Sequence, residues 1–291
     1  MTFFTMKEII ETSERKGAKI SDVALEMESK ETGLSADEIM KKMAYNYEIM
    51  KNSVSQGISK IIPSISGLTG GEGYRLWQNV KNGLSGETIL KASSRAMAVS
   101  NVNASMGRIV ASPTAGSCGI IPSVLITVGE KLGKSDNDIV KALITTAVVG
   151  KIIAYNATLA GAEGGCQAEC GSASAMAAAA AVELAGGTPS QSGHAVAIAL
   201  KGIMGLICDP VAGLVEVPCI KRNAFGAAQA ILAADMAMAG IESVIPVDEV
   251  IKAMGEVGHA LPVELKETAM GGIAASETGK NLEKKLMRED M

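Results

Sequence analysis

The sequence predicts an all-α fold: a compact multi-helix domain with small-residue central helices and loops rich in glycine and proline. Aromatic residues make up only 3% of the 291 residues, whereas Gly (32) and Met (16) are abundant. Small side chains favour closely packed helices, while a β-sandwich needs bulky strand residues. A chain of this length buries a sizeable core, as one large domain or two modest ones.

The first third of the chain has the pattern of charged amphipathic helices. Ser35 followed by Glu38 forms a capping box at a helix start, because the hydroxyl and the carboxylate satisfy free backbone amides. We expect that helix to end at Gly57. An apolar face follows the cap, formed by Ile39, Met40, Met43 and Met50.

Glycine and serine are concentrated in PSISGLTGGEG, residues 63–73, and resist a regular element. We therefore divide the chain into N-terminal amphipathic helices packed on the core (1–62), a linker-like segment with a short helix (63–84), and the core itself (85–291). The TGGEG run lacks the GK[ST] of a phosphate-binding loop.

Helices and glycine loops alternate in the rest of the chain. Ser135 with Asp138 caps a helix that runs toward Gly161. An Ala-rich helix is predicted from Gln167 to Ala185, and its small side chains indicate a central position. Further helices are expected over His194–Leu206, Cys219–Ala239, Asp248–Gly258 and Glu264–Met270.

Composition excludes several classes of function. A net charge of −4 and a pI near 5.4 give no basic stripe for nucleic acid. The N-terminus MTFFTMKEII lacks the features of a signal peptide, and five cysteines favour reduced thiols, so we expect a cytoplasmic protein. The apolar stretch 139–162 is interrupted by Lys141 and Lys151, which indicates a buried helix and no membrane contact.

Three cysteines lie next to glycine or proline: Cys166 in EGGCQAEC, and Cys208 and Cys219 in CDPVAGLVEVPC. They form no C-x-x-C pair, so an all-thiolate zinc ribbon fits poorly. Three thiolates can hold an iron–sulfur cluster and leave one iron open as a Lewis acid. The alternative is that they are buried, inert cysteines.

The strings ASPTAGSCGIIPSVL, EGGCQAECGSASAMAAAA and GLICDPVAGLVEVPCIKRN occur in this order. Together they resemble the alpha chain of the iron–sulfur-dependent L-serine dehydratases, the type split into alpha and beta subunits. The resemblance runs from about Ser93 to about Gly272. It implies amino-acid catabolism: a lyase that converts L-serine to pyruvate and ammonia.

The resemblance also implies a [4Fe-4S] cluster held by Cys166, Cys208 and Cys219, whose open iron acts on the substrate hydroxyl. It implies a separate beta subunit, and we expect a homo-oligomer of alpha chains as well. The resemblance further implies that, in a fused relative, a base can come from the beta portion and a C-terminal cysteine can occupy the open iron at rest. This chain ends KNLEKKLMREDM without cysteine, so its fourth cluster ligand stays open.

The residues around the cysteines favour thiolates that could bind a metal. Cys166 begins a helix, whose dipole lowers the thiol pKa. Lys221 and Arg222 follow Cys219 and could offset the charge of the cluster or of a substrate carboxylate. Cys170, one helical turn after Cys166, is interpreted as a packed thiol, because a fourth protein ligand would close the open iron. Cys118 is interpreted as a non-ligand.

The stretch SPTAGSCG places small residues and hydroxyls before a helix, where amides and hydroxyls can bind an amino-acid carboxylate. We predict that this stretch binds substrate through Ser112, Thr114, Gly116 and Ser117. A plain helix cap is the alternative. The catalytic base is unassigned and could come from the partner chain; the candidates within this chain are Glu163, Glu169, His194 and His259.

Several alternatives stay open. A cysteine desulfidase or a threonine dehydratase would use the same cluster, because one side-chain atom separates these substrates from serine. A pyridoxal-phosphate lyase would need a Schiff-base lysine, for which Lys151 in VGKIIAYN has the most apolar setting. A non-catalytic helical subunit could use the cysteines for a structural metal.

Overall fold

A computed structural model describes residues 4–289 and confirms the all-α fold, with 71% of the chain in helices. In this range the only β-type pairings are two isolated bridges, Pro63 with Gly70 and Cys208 with Lys266. None of the helices that the structure describes is both long enough and apolar enough to cross a membrane.

Thirteen α-helices are described. Their bounds are α1 Met6–Lys16, α2 Ile20–Thr32, α3 Ala36–Ser59, α4 Glu72–Gln78, α5 Glu87–Ala104, α6 Ile120–Leu132, α7 Asp136–Asn156, α8 Gly161–Gly164, α9 Ser172–Leu184, α10 Pro189–Ile203, α11 Cys219–Met238, α12 Val247–Ala260 and α13 Glu277–Glu289. A π-helix, Gln167–Gly171, leads directly into α9, and short 3-10 turns occupy Val80–Asn82, Ala115–Ser117, Val211–Gly213 and Val263–Leu265.

Side-chain caps set several helix starts, as the sequence predicts. The Ser35 hydroxyl accepts the Glu38 amide at 3.3 Å, and the Ser135 hydroxyl accepts the Asp138 amide at 3.2 Å. A further box at Thr188 begins α10 at Pro189, well before the predicted start at His194. Threonine followed by proline is a signal for a helix start, and the predicted start at His194 did not take it into account.

Helix α9 lies at the centre of the molecule, and every one of its residues is buried. It packs against α6, α7, α10 and α11. Its side chains are mostly methyl groups, so neighbouring backbones approach closely, and the Ser174 hydroxyl donates to the Gly226 carbonyl of α11 at 2.9 Å. The predicted central role of the Ala-rich run is confirmed.

Close packing also explains Gly57, which does not end α3 as predicted. Helix α3 continues to Ser59, and Gly57 lies inside it against α5. A Cβ at Gly57 would lie 2.4 Å from the Ala98 carbonyl oxygen, and a Cβ at Gly73 would lie 2.5 Å from the Ala98 Cα. Glycine is required here by helix-to-helix contact, not by a chain turn.

Gly57→Ala should therefore destabilise the protein. The added methyl group meets a helix backbone that cannot move alone, and this strain of about 3 kcal/mol exceeds the roughly 1 kcal/mol that alanine gains as a helix former. The expected loss is about 2 kcal/mol in the free energy of unfolding, measured by urea denaturation. Ser55→Ala, on the exposed face of α3, should stay within about 0.5 kcal/mol of wild type.

The prediction of a helix over Glu264–Met270 is wrong, because this segment is mostly irregular. One 3-10 turn, Val263–Leu265, is followed by an irregular segment in which Glu267 and Ala269 have positive φ values of 64° and 56°. The backbone groups near Leu265 and Glu267 pair with Cys208 instead of completing a helical turn. Tertiary hydrogen bonds have replaced the local helical ones.

Candidate functional site

The three predicted ligand cysteines lie on three separate elements. Cys166 immediately precedes the π-helix, Cys208 lies in an extended segment after α10, and Cys219 is the first residue of α11. All three are buried, with exposed fractions of 3%, 3% and 8%. The segments that carry them meet at one end of α9.

Gln167 fixes the first of these segments. Its side-chain amide donates to the Gly164 and Met254 carbonyls at 2.9 and 3.2 Å and accepts the Gly205 amide at 2.9 Å. Its backbone amide donates to the Leu206 carbonyl at 3.0 Å. These contacts hold the wide π turn, a feature that often occurs at functional sites.

Two backbone hydrogen bonds fix Cys208. Its amide donates to the Leu265 carbonyl, and its carbonyl accepts the Glu267 amide, both at 2.8 Å. The next residue, Asp209, forms an ion pair with Arg222 at 2.8 Å and accepts the Ile273 amide at 2.8 Å. The segment after α12 therefore holds the Cys208 loop in place.

The first turn of α11 connects the cysteines to the loop after α5. The Asn223 side chain accepts the Gly119 amide at 2.9 Å and donates to the Gly116 and Cys219 carbonyls at 2.7 and 2.9 Å. Arg222 donates to the Ile207 carbonyl at 2.9 Å. By contrast, the neighbouring Lys221 points to Glu72, with an Nζ–Oε1 distance of 2.9 Å.

Among the three thiols, the charge of Cys166 affects the pKa of both Cys208 and Cys219. The hydrogen bond between Cys166 and Cys170, whose Sγ atoms lie 3.4 Å apart, lowers the pKa of Cys166, and the positive charge of Arg222 lowers it further. Burial raises the pKa of Cys208 and raises that of Cys219 to about 12, with the negative charge of Cys166 adding to both. As the pH rises, Cys166 is therefore expected to lose its proton before Cys208 and Cys219 do.

The donor set fits a cluster better than a single ion. Over residues 4–289, the one group of three ligand atoms lying within 4.8 Å of one another is formed by Glu169, Cys208 and Glu267, not by the three cysteines. A tetrahedral zinc ion with Zn–S bonds of about 2.3 Å needs its sulfur ligands within that 4.8 Å of one another, and the three cysteines do not meet this condition. An iron–sulfur cluster spreads its thiolates over different irons, so it tolerates the wider arrangement.

The predicted substrate-binding stretch lies beside the cysteines. The Thr114 hydroxyl donates to Glu169 Oε1 at 2.6 Å and lies 3.2 Å from the Ser117 hydroxyl. A Cβ at Gly116 would lie 3.0 Å from Glu169 Oε1. Two of the four predicted residues, Thr114 and Gly116, therefore lie against Glu169, and Ser117 is linked to it through Thr114. Ser112 contributes only a long hydrogen bond of 3.5 Å to the Val110 carbonyl.

The four candidates for the base have different partners. Glu169 is buried, bonded to Thr114 and 3.9 Å from Cys208 Sγ; burial and the charge of Glu267 raise its pKa. Glu163 pairs with Thr158, His194 accepts the Ser243 amide at 3.2 Å, and His259 contacts the Gly255 carbonyl at 2.7 Å. Of the four, Glu169 is the one that the structure joins to both a cysteine and the substrate-binding stretch.

The other predicted non-ligands are packed in the interior. Cys170 and Cys118 are fully buried, and burial raises the pKa of Cys118 to about 12. Sequence reasoning missed Asn223 and Glu267. Asn223 follows the Lys221–Arg222 pair, whereas Glu267 lies in the segment wrongly predicted as a helix and carries no local signal.

A model of the serine dehydratase alpha chain family matches residues 15–274 of this sequence, which include every segment of the site. The chain belongs to the serine dehydratase alpha chain family. It is 50% identical to the probable L-serine dehydratase alpha chain of Bacillus subtilis (strain 168), over 98% of this chain and 95% of that one. It is 44% identical to the L-serine dehydratase alpha chain of Peptoniphilus asaccharolyticus, over 98% of both chains.

Some relatives are longer than this chain. The L-serine dehydratase of Streptomyces coelicolor (strain ATCC BAA-471 / A3(2) / M145) is 38% identical over 94% of this chain, which covers 61% of that protein. The family expected from the three sequence strings is thus confirmed.

Proposed function

We propose that this chain is the catalytic alpha chain of an L-serine dehydratase, a lyase that converts L-serine to pyruvate and ammonia. One observation carries the proposal: three buried cysteines from separate elements meet beside the Thr114–Glu169 pair, within the range matched by the family. Cys166, Cys208 and Cys219 would hold a [4Fe-4S] cluster. When bound, that cluster supplies an iron without a protein thiolate as a Lewis acid for the substrate hydroxyl.

The residues of the chain bind and orient the substrate. Thr114 and Ser117 provide hydroxyl groups next to the cysteines, and Gly116 leaves room for a ligand there. We assign these residues, with Ser112 at the edge of the loop, to the substrate carboxylate. The Arg222 guanidinium, held by Asp209, offsets the negative charge of the thiolates.

A second chain completes the enzyme in this proposal. The Bacillus and Peptoniphilus relatives are named alpha chains, and the Streptomyces relative has sequence beyond the region that this chain covers. We propose a separate beta subunit that closes the active site and supplies the catalytic base if no residue of this chain does so. We further propose that the alpha chains form a homo-oligomer. We also propose a cytoplasmic location, where thiols and clusters stay reduced.

The structure favours no second chemistry. Lys151, the candidate for a Schiff base, pairs with Glu31 and Glu28 on the α2 side of α7, away from the cysteines. Threonine and cysteine remain alternative substrates for the same cluster. A structural zinc site is the remaining non-catalytic alternative.

The test is anaerobic reconstitution with iron and sulfide, followed by assay of pyruvate from L-serine with and without a beta chain. We expect iron and sulfide in a cubane ratio and turnover that needs the beta chain. Equal turnover with and without it would place every catalytic group in this chain. A bound zinc without turnover, even with the beta chain present, would overturn the proposal.

A further inference from the structure

One carboxylate at the site has no role in the arrangement described so far. Glu267 Oε lies within 4.8 Å of both the Glu169 carboxylate and Cys208 Sγ. Glu169 and Cys208 are buried, whereas Glu267 is exposed. Its carboxylate therefore stands between the cysteines and solvent, where a substrate would enter.

The backbone holds Glu267 in this position. Its amide donates to the Cys208 carbonyl at 2.8 Å, and its φ of 64° is uncommon for a residue other than glycine. A Cβ at Gly161 would lie 2.6 Å from Glu169 Oε2 and 3.2 Å from Glu267 Oε2. Gly161 thus leaves open the space between the two carboxylates.

Glu267 is free to take a cationic partner. Among residues 4–289 its carboxylate forms no hydrogen bond or ion pair, while Glu169 is already bonded to Thr114. The guanidinium of Arg222 is engaged by Asp209 and the Ile207 carbonyl. The carboxylates of Glu169 and Glu267 lie within 4.8 Å of each other at this entrance, a pairing that favours a positively charged group beside them.

L-serine brings one positive group, its α-ammonium. The proposed function already assigns its hydroxyl to the iron and its carboxylate to the hydroxyl-bearing loop at Thr114. The ammonium and the carboxylate of serine share one carbon, so a carboxylate bound at Thr114 brings the ammonium close to Glu267, whose carboxylate lies within 4.8 Å of the Thr114 partner Glu169. Charge-assisted hydrogen bonds of this kind are among the strong ones.

We propose that Glu267 binds the α-ammonium of the substrate and so selects 2-amino-3-hydroxy acids over hydroxy acids that lack the amine. The inference rests on the proposed function. Glu267 is a specificity residue in this account, and the chemistry on the hydroxyl and the α-proton belongs to other groups.

The test compares two ligands that differ only in the amine, using reconstituted enzyme with its beta chain. In Glu267→Gln the KM for L-serine should rise by about tenfold or more, since the variant loses a charge-assisted hydrogen bond to the ammonium. The inhibition constant of 3-hydroxypropionate, which keeps the carboxylate and the hydroxyl, should stay unchanged or fall. Iron content and kcat should remain close to wild type.

Glu264→Gln is the matched control, because Glu264 lies exposed in the same segment and is not part of the Glu169–Cys208–Glu267 group. Its KM should equal that of wild type, and Glu267→Asp should recover part of the L-serine affinity. An unchanged KM in Glu267→Gln, or an equal rise for L-serine and 3-hydroxypropionate, would overturn the inference and leave the proposed function standing. Wild-type enzyme that neither binds nor turns over L-serine would overturn both.

Discussion

Replacing Cys166, Cys208 or Cys219 singly with serine is expected to remove the iron–sulfur absorbance and to lower turnover below about 1% of wild type. Serine offers a hard hydroxyl where the cluster requires a thiolate. Loss of even an outer partner of a metal ligand costs about 10–100-fold, so loss of a ligand should cost more. Iron and sulfide analysis after anaerobic reconstitution measures the effect independently of turnover.

Cys170→Ala is the matched control, since Cys170 is as deeply buried and lies 3.4 Å from Cys166. It should keep most of the iron. Retention of the cluster in Cys219→Ser together with its loss in Cys170→Ala would contradict the ligand assignment.

Glu169→Gln is expected to lower kcat by about 100-fold while the iron content stays near wild type. Glu169 accepts the Thr114 hydroxyl at 2.6 Å and lies 3.9 Å from Cys208 Sγ, so it aligns the substrate-binding stretch with the cysteines. Misplacement of a substrate by about 1 Å can cost 100-fold in rate. Steady-state kinetics on L-serine, with iron analysis of the same sample, provide the measurement.

Glu163→Gln offers the comparison, because Glu163 lies in the preceding short helix and pairs with Thr158. Its kcat should match that of wild type. A large loss in Glu163→Gln with none in Glu169→Gln would reverse the roles that the geometry gives to these two carboxylates.

Local signals allowed much of the fold to be predicted from the sequence. The capping boxes at Ser35 and Ser135 involve residues within one helical turn, so they can be recognised from the sequence. The small side chains of the Ala-rich run predict the central position of α9. The ligand cysteines were predicted from motif strings rather than from geometry, since a sequence does not show that segments far apart in the chain will meet.

Contacts between distant segments account for the errors. Glycine is typical of a helix end, but Gly57 is required because Ala98 on another helix packs against it. The segment around Glu267 has ordinary helical residues, yet its backbone hydrogen bonds go to Cys208. No property of either segment by itself reveals its partner, so local sequence predicts neither the packing of Gly57 nor the position of Glu267.

The pairing of Cys208 with Leu265 and Glu267 has a consequence for the order of events during synthesis. All three ligand cysteines leave the ribosome before the segment that positions Cys208 has been made. A nascent chain therefore carries its thiols without the geometry to hold iron. If these cysteines hold a cluster as we propose, the chain can hold it in this geometry only after α12 and the segment that follows it have been made.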